Sequence, residues 1–342
     1  MQETDRKQGR KRDGRQPGIA RQKQVFYPKR SLGQNFVIDQ NTLKKMCRLG
    51  NISPGENVLE IGPGFAALTR ELLKSGAIVT AIELDRRLVQ ELHFIEQSEW
   101  PGRLRIIEGN ALSVPMSTVF GNVFTPSGAA SASSGTGALG APARPDMLTP
   151  SGAPTLFSDP LHPIGTPSVP ALSGAPDAPS TRWKMVSNLP YNIATPIVMR
   201  VLEEAEQVDS IVVMVQREVA LRWTAKPGSS LYSSVSVRMS YFSDVKLAGS
   251  VSRNIFVPKP NVESSIVVIS RRPQAPVDAD YKSMVKLIDL AYRHRRKMLR
   301  NSLAPLCNDH MLDQAGILPT SRPQQLSIED WGRLALATFS NK

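Results

Sequence analysis

An α/β fold, a doubly wound open sheet followed by a smaller all-helical region, is what this 342-residue sequence predicts. Three observations carry the expectation. Short β-branched runs alternate with amphipathic stretches from residue 57 to residue 108, the pattern of βαβ units in a parallel sheet. The alternation resumes at Lys184 after a long interval rich in Gly, Ala, Ser and Pro. From about residue 277 onward only helical periodicity remains. A chain of this length accommodates a full α/β domain and a smaller second one.

Taken in order, residues 1–28 mix Gln, Gly, Arg and Lys with few apolar side chains, a composition expected to stay disordered until it meets a partner. A first domain is expected over 29–275. It opens with a strand at Asn57–Ile61, a helix at Ala66–Ser75, a strand at Ile78–Glu83, a helix at Arg86–Glu96 and a strand at Leu104–Glu108. Residues 117–181 are almost free of charge, with Arg144 the only Lys or Arg before Arg182, and read as a low-complexity insertion without structure of its own. Strands follow at Lys184–Asn188 and Ser210–Gln216, and Val235–Tyr241 is expected to form a hairpin with Ile266–Ser270. The second domain, 276–342, is expected to hold a helix over Tyr281–Leu303, a short one near Met311–Ala315 and a last one over Ile328–Phe339 capped by Ser327.

The formal charge is +12, and residues 1–30 alone hold ten Lys/Arg, Lys29 and Arg30 among them, against three acids. A second cluster comprises Arg293, Arg295, Arg296, Lys297 and Arg300. Both favour a polyanionic partner, most simply nucleic acid, through phosphate neutralisation; a merely basic protein or an anionic membrane surface is also compatible with charge alone. Cys47 and Cys307 are the only cysteines and lack metal-ligand spacing, so neither a disulfide framework nor a metal site is expected, and a reducing cytoplasm is. No stretch approaches the roughly 18 apolar residues of a membrane span, so no membrane partner is expected.

The first βα turn reads Glu60-Ile61-Gly62-Pro63-Gly64-Phe65-Ala66-Ala67. Gly62 and Gly64 allow a tight bend and close ligand approach, and the following helix would present free N–H groups. Glu83 follows at the end of the next strand, where an acidic residue suits the two ribose hydroxyls of an adenosine cofactor. The same turn also fits a dinucleotide fingerprint, so an NAD enzyme stays open on that motif. Glu60 argues against it, because a carboxylate beside the phosphate site repels pyrophosphate, whereas the amino-acid tail of S-adenosylmethionine tolerates it. Asn110, after the third strand, can accept from an adenine amino group.

The fourth strand delivers Asn188-Leu189-Pro190-Tyr191 to the same carboxyl edge, where open α/β folds bind ligands. Asn188 offers an acceptor for an exocyclic amine, Pro190 fixes the backbone and Tyr191 offers a stacking face. By itself the tetrapeptide also suits a strand ended by an Asn-x-Pro turn.

These motifs, with Leu32-Gly33-Gln34-Asn35-Phe36-Val37, Ile82-Glu83-Leu84-Asp85, Gln216-Arg217-Glu218-Val219-Ala220, Phe256-Val257-Pro258-Lys259-Pro260-Asn261-Val262-Glu263-Ser264 and Arg295-Arg296-Lys297-Met298-Leu299-Arg300-Asn301, resemble the ribosomal RNA adenine N6,N6-dimethyltransferase family. The resemblance covers the chain from Lys29 onward apart from the insertion. It implies a Rossmann-like methyltransferase sheet whose S-adenosylmethionine site is lined by Asn35, Val37, Glu60, Gly62, Gly64, Glu83, Leu84, Asn110, Ala111 and Asn188. The target adenine is then expected between Tyr191 and Phe256, with N6 held by Asn188 and the Leu189 carbonyl, and RNA along Lys29, Arg30, Arg295, Arg296, Lys297 and Arg300. The implied substrate is a pair of adjacent adenines near the 3′ end of 16S rRNA in the small ribosomal subunit, and the implied enzyme is a cytoplasmic monomer. The related large-subunit enzymes of macrolide resistance fit Gly33–Phe36 and Leu189 less well. A non-catalytic RNA-binding assembly factor is disfavoured by intact Glu83, Asn188 and Tyr191. One departure is Asn110, where the family usually has Asp; an amide oxygen still accepts an adenine N–H, so binding should survive with some loss.

Overall fold

The computed structural model describes residues 34–121 and 182–339. Residues 1–28, Lys29, Arg30 and most of the expected insertion lie outside the described residues. After β1 (Phe36–Val37) and α1 (Gln40–Leu49) come β2 (Asn57–Ile61), α2 (Ala67–Lys74), β3 (Ile78–Glu83), α3 (Arg86–Glu99), β4 (Leu104–Glu108) and α4 (Met116–Phe120). The chain continues as β5 (Trp183–Asn188), α5 (Ala194–Glu204), β6 (Val208–Gln216), α6 (Arg217–Trp223), α7 (Ser234–Phe242), β7 (Ser243–Val251), β8 (Phe256–Val257) and β9 (Ser264–Arg271). Helices α8 (Tyr281–Arg293), α9 (Leu299–Ser302), α10 (Asp309–Gln314) and α11 (Ile328–Phe339) complete the described chain.

Seven strands form one sheet in the order β4-β3-β2-β5-β6-β9-β7. The first five are parallel; β9 runs antiparallel to both β6 and β7. Because alternate residues face opposite sides, Leu59, Ile61 and Met185 pack with α5 and α6, while Val58, Val79 and Val186 pack with α1, α2 and α3. All five residues of β2 are buried. Each aliphatic side chain enclosed there stabilises the fold by about 1.5–3 kcal/mol relative to exposure. The strand order reverses between β2 and β5, which opens a crevice at their carboxyl ends. A third core gathers α8, α10 and α11 around Trp331 and Leu287, with Tyr232 and Val237 contributed from the sheet-bearing part. Among the described residues no helix is long and apolar enough to cross a membrane.

Three expectations need correction. Val235–Tyr241 is helical, and the partner of β9 is β7 instead. The apolar alternation arises because α7 serves two cores: Val235, Met239 and Phe242 face the sheet, whereas Val237 and Tyr241 face the helical region. Two stripes, each at helical spacing and offset by two residues, imitate a strand. The start of the helix is fixed by a reciprocal cap, with Ser233 Oγ accepting from Ser236 N and Ser236 Oγ accepting from Ser233 N.

The insertion expected from residue 117 does not begin there. Residues Met116–Phe120 form α4, and Val119 is completely buried. Phe120 meets Trp183 edge-on with ring centroids 5.0 Å apart, so the two flanks of the intervening segment are pinned together. Finally, Tyr281–Leu303 is not one helix. Residues 293–298 are all exposed, a run wider than one face of a packed helix allows, and a turn closed by Lys297 N donating to His294 O at 2.7 Å separates α8 from α9.

Candidate active site

The turn after β2 is shaped by backbone that only certain residues tolerate. Gly62 and Gly64 have φ of +70° and +58°, and Ala66, at +61°, is a non-glycine residue in the left-handed region just before α2. A Cβ on Gly64 would lie 2.8 Å from the Phe36 ring, so β1 can close over this turn only because the side chain is missing. Ile61 N donates to Ser187 Oγ at 2.9 Å, which ties the end of β2 to the end of β5. Helix α2 has no side-chain cap, leaving its first N–H groups open toward the turn.

Above these strand ends lies a cavity of about 440 Å³. Its wall includes Asn35, Val37, Glu60, Gly62, Gly64, Glu83, Leu84, Asn110 and Ala111, and also Asn188, Leu189, Pro190 and Tyr191. Residues separated by more than 150 positions thus share one space. Gln34, Phe36, Phe65 and Leu112 line it too, although no motif spacing assigns them a role. Phe36 and Phe65 had no periodic signal to separate them from core aromatics; their rings pair at 4.6 Å.

Two carboxyls in this wall differ in their surroundings. Glu83 accepts from Gly64 N at 3.2 Å, Leu84 N at 2.8 Å and Asp85 N at 2.9 Å. Burial raises its pKa, and the three N–H groups oppose that rise. Glu60 is 1% exposed, and its Oε2 accepts no hydrogen bond. Burial pushes its carboxyl up to about 8, with the charge of Glu83 adding to the rise. Burial thus favours the neutral form of Glu60, so charge repulsion of a pyrophosphate is weaker here than for an exposed carboxylate. What the orphaned oxygen fits is a donor, such as the ammonium of an amino-acid tail. Asp85, capping α3, is held down at about 2 chiefly by Arg87 and also by Gln34.

Asn110 is exposed, and its Oδ1 accepts from Leu112 N at 3.0 Å, which occupies one of the two lone pairs expected to meet an adenine amine. Asn188 donates through Nδ2 to the Asn35 carbonyl at 3.1 Å, and its Oδ1 is enclosed without a partner. With the amide's orientation fixed by that bond, Oδ1 is the acceptor left over. Leu189 is 1% exposed and donates its N–H to Met214 O at 3.2 Å. The Tyr191 hydroxyl bonds Ser264 Oγ at 2.7 Å, and burial raises its pKa. Ser264 lay in a motif read from the sequence, but its contact with Tyr191 depends on β9 lying beside β6.

Phe256 does not stand on the cavity wall. It is 2% exposed, pairs in register with Val37 and packs among the aliphatic residues under the sheet. The ring that was expected to face Tyr191 is occupied with core packing because β8 is held by β1. Arg295, Arg296, Lys297 and Arg300 are exposed around the turn between α8 and α9; Arg295 Nη2 donates to Ser230 O at 3.0 Å, and Arg300 lies 3.9 Å from Asp309. Among the described residues no group of His, Cys, Asp and Glu could hold a metal ion.

The family model for ribosomal RNA adenine dimethylase matches residues 25–338. Proteins named ribosomal RNA small subunit methyltransferase A are similar over nearly the whole chain: that of Leifsonia xyli subsp. xyli is 34% identical, with 90% of this chain and 91% of that protein covered. The Thermobifida fusca protein of that name is 33% identical, covering 90% and 89%. Among solved structures, a dimethyladenosine transferase from Plasmodium falciparum superposes with a TM-score of 0.61 at 19% identity, covering 87% of this chain and 95% of that one. The 23S rRNA methyltransferase ErmE gives 0.57 at 20% identity, covering 89% and 99%. Both structural likenesses establish the fold.

Proposed function

The chain belongs to the ribosomal RNA adenine dimethylase family, and from that premise we propose that it transfers methyl groups from S-adenosylmethionine to N6 of adenine in ribosomal RNA. The substrate proposed is a pair of adjacent adenines near the 3′ end of 16S rRNA in the small subunit, with the enzyme acting as a cytoplasmic monomer without a metal. Support for the small-subunit target comes from the names of relatives matched over 90% of the chain. The observation that carries the chemistry is the enclosed, unpartnered Asn188 Oδ1 on the wall that also holds the Gly62–Gly64 turn.

S-adenosylmethionine, when bound, supplies an electrophilic methyl group on a sulfonium. Glu83, Asn110 and the turn would hold its adenosine end, and Glu60 its amino-acid end. Adenine N6 is a weak nucleophile because its lone pair is delocalised into the ring. Asn188 Oδ1 and the Leu189 carbonyl, by accepting the two N6–H bonds, localise that lone pair and aim it. Held in this way, N6 would form its N–C bond as the S–C bond breaks with its electron pair left on sulfur, and N6 would then give its proton to solvent. Tyr191 is no base here, since burial keeps its hydroxyl protonated; its ring offers stacking worth about 1–3 kcal/mol per base. Positioning and local dipoles supply the acceleration. The exposed Arg295, Arg296, Lys297 and Arg300, with Lys29, Arg30 and the rest of the N-terminal segment, are proposed to contact phosphates, and 276–342 is proposed as a unit serving that contact.

Purified small and large subunits from a strain lacking the modification, incubated with labelled S-adenosylmethionine, test the reading. Label on two adjacent adenines of the small subunit is expected. Label on the large subunit, or none on either, would overturn it.

A further inference from the structure

We infer that Arg200 is a positioning residue for the adenine of the methyl donor, acting through one peptide plane on Asn110. This rests on the proposed function. Arg200 lies on α5, the helix that begins just after Tyr191. Its Nη1 donates to the Ala111 carbonyl at 2.9 Å, and its Nε to Glu204 Oε2 at 3.0 Å. The side chain is 16% exposed and Glu204 half exposed, so the guanidinium is held against the protein with its charge balanced at the rim.

The Ala111 carbonyl and the Leu112 N–H belong to the same rigid peptide group. Leu112 N donates to Asn110 Oδ1 at 3.0 Å. Holding the carbonyl therefore sets the plane, the plane sets the N–H, and the N–H sets the Asn110 side chain on the cavity wall. A rotation of that peptide would break both bonds together. Asn110 depends on this tie because its amide is neutral and one acceptor lone pair is already used. On the preceding strand, Arg105 makes a similar clamp outside the cavity, donating to Thr118 O at 2.7 Å and Val119 O at 3.1 Å. It is a control for loss of a clamp alone.

The test is a double-mutant cycle on the full-length enzyme with small subunits as substrate. Arg200→Met is expected to raise KM for S-adenosylmethionine about tenfold, the weight of one charge-assisted hydrogen bond, while kcat and the KM for the subunit stay within about twofold. Arg200→Lys is expected to recover part of the loss. In an Asn110→Ala background, Arg200→Met should add less than about twofold, because the residue it positions is gone. Arg105→Met should lower the melting temperature and leave KM unchanged. Additive effects of Arg200 and Asn110, a fall in kcat matching the rise in KM, or an unchanged KM would each overturn the inference. If Arg200→Met fails to fold, the Arg200→Lys cycle decides by the same criterion. Absence of S-adenosylmethionine binding to the wild type in calorimetry would remove the proposed function and this inference together; normal wild-type binding with unchanged Arg200 variants removes this inference alone.

Discussion

On one wall of the cavity Glu83 receives three backbone N–H groups, while across it Asn188 keeps an enclosed oxygen with no donor and Phe256 lies under the sheet. The first wall is built by consecutive βα turns, whose own backbone N–H groups serve Glu83 and Asn110 and leave Glu60 Oε2 open. The second is assembled from segments far apart in sequence, Asn35, Asn188 and Ser264, and holds its acceptor unsatisfied. An unpaired buried acceptor costs about 1–3 kcal/mol, which a ligand's N–H can recover. On the proposed function, the contrast means that the Glu83 end of the donor site is preformed, whereas Glu60 and Asn188 are completed by what binds.

The largest effect expected from breaking that contrast lies at Phe256. As a core residue, Phe256→Ala should cost about 3–5 kcal/mol of unfolding free energy, measured by denaturant titration, and Phe256→Leu should retain most stability and transfer. Loss of transfer in a stable Phe256→Leu protein would instead restore the ring to the target wall. Next, Asn188→Asp should lower kcat by about 100-fold, or about 2.7 kcal/mol. The aspartate has no Nδ2 to give to the Asn35 carbonyl, so it either repels that oxygen or turns away. Single-turnover transfer within tenfold of wild type would show that the orientation is set elsewhere.

Glu60 sharpens the donor side through pH. Burial raises its carboxyl from 4.5 to about 8. The raised folded value means that the stability tied to the neutral form is complete below pH 4.5 and is lost as the pH rises through about 8. Glu60→Gln should therefore be more stable than wild type at pH 8.5 by a few kcal/mol, with little difference at pH 4.5, and should bind S-adenosylmethionine more weakly. Parallel stability curves from pH 4.5 to 8.5 would refute the buried proton. The smallest change is Tyr191→Phe, which removes the 2.7 Å bond to Ser264 and keeps the ring. About 1 kcal/mol of stability should go, with transfer reduced no more than a few-fold; a collapse of kcat would give the hydroxyl a direct role.

The strands β2, β3 and β4 could be read from the sequence to their final residues, since short β-branched runs bounded by Gly, Pro and acidic residues have few alternatives. The turn residues Gly62 and Gly64 were readable for the same reason: their requirement is local backbone geometry. Helix α7 was not, because its two apolar stripes answer to two cores that exist only once the helical region has docked. The turn at 294–298 was hidden likewise, since basic and apolar residues there fit a helix until burial is known.

The sequence by itself therefore determined the alternation of elements, the glycine turn and the presence of Glu83, Asn110 and the Asn188–Tyr191 segment, all of which follow from local propensity and spacing. Only the tertiary structure decided which oxygen of Asn188 is left open, that burial favours the neutral form of Glu60, that Phe256 is packed away and that Arg200 reaches Ala111. Hydrogen-bond partners, desolvation and exposure are properties of what lies alongside a residue, and in this fold those neighbours come from distant parts of the chain.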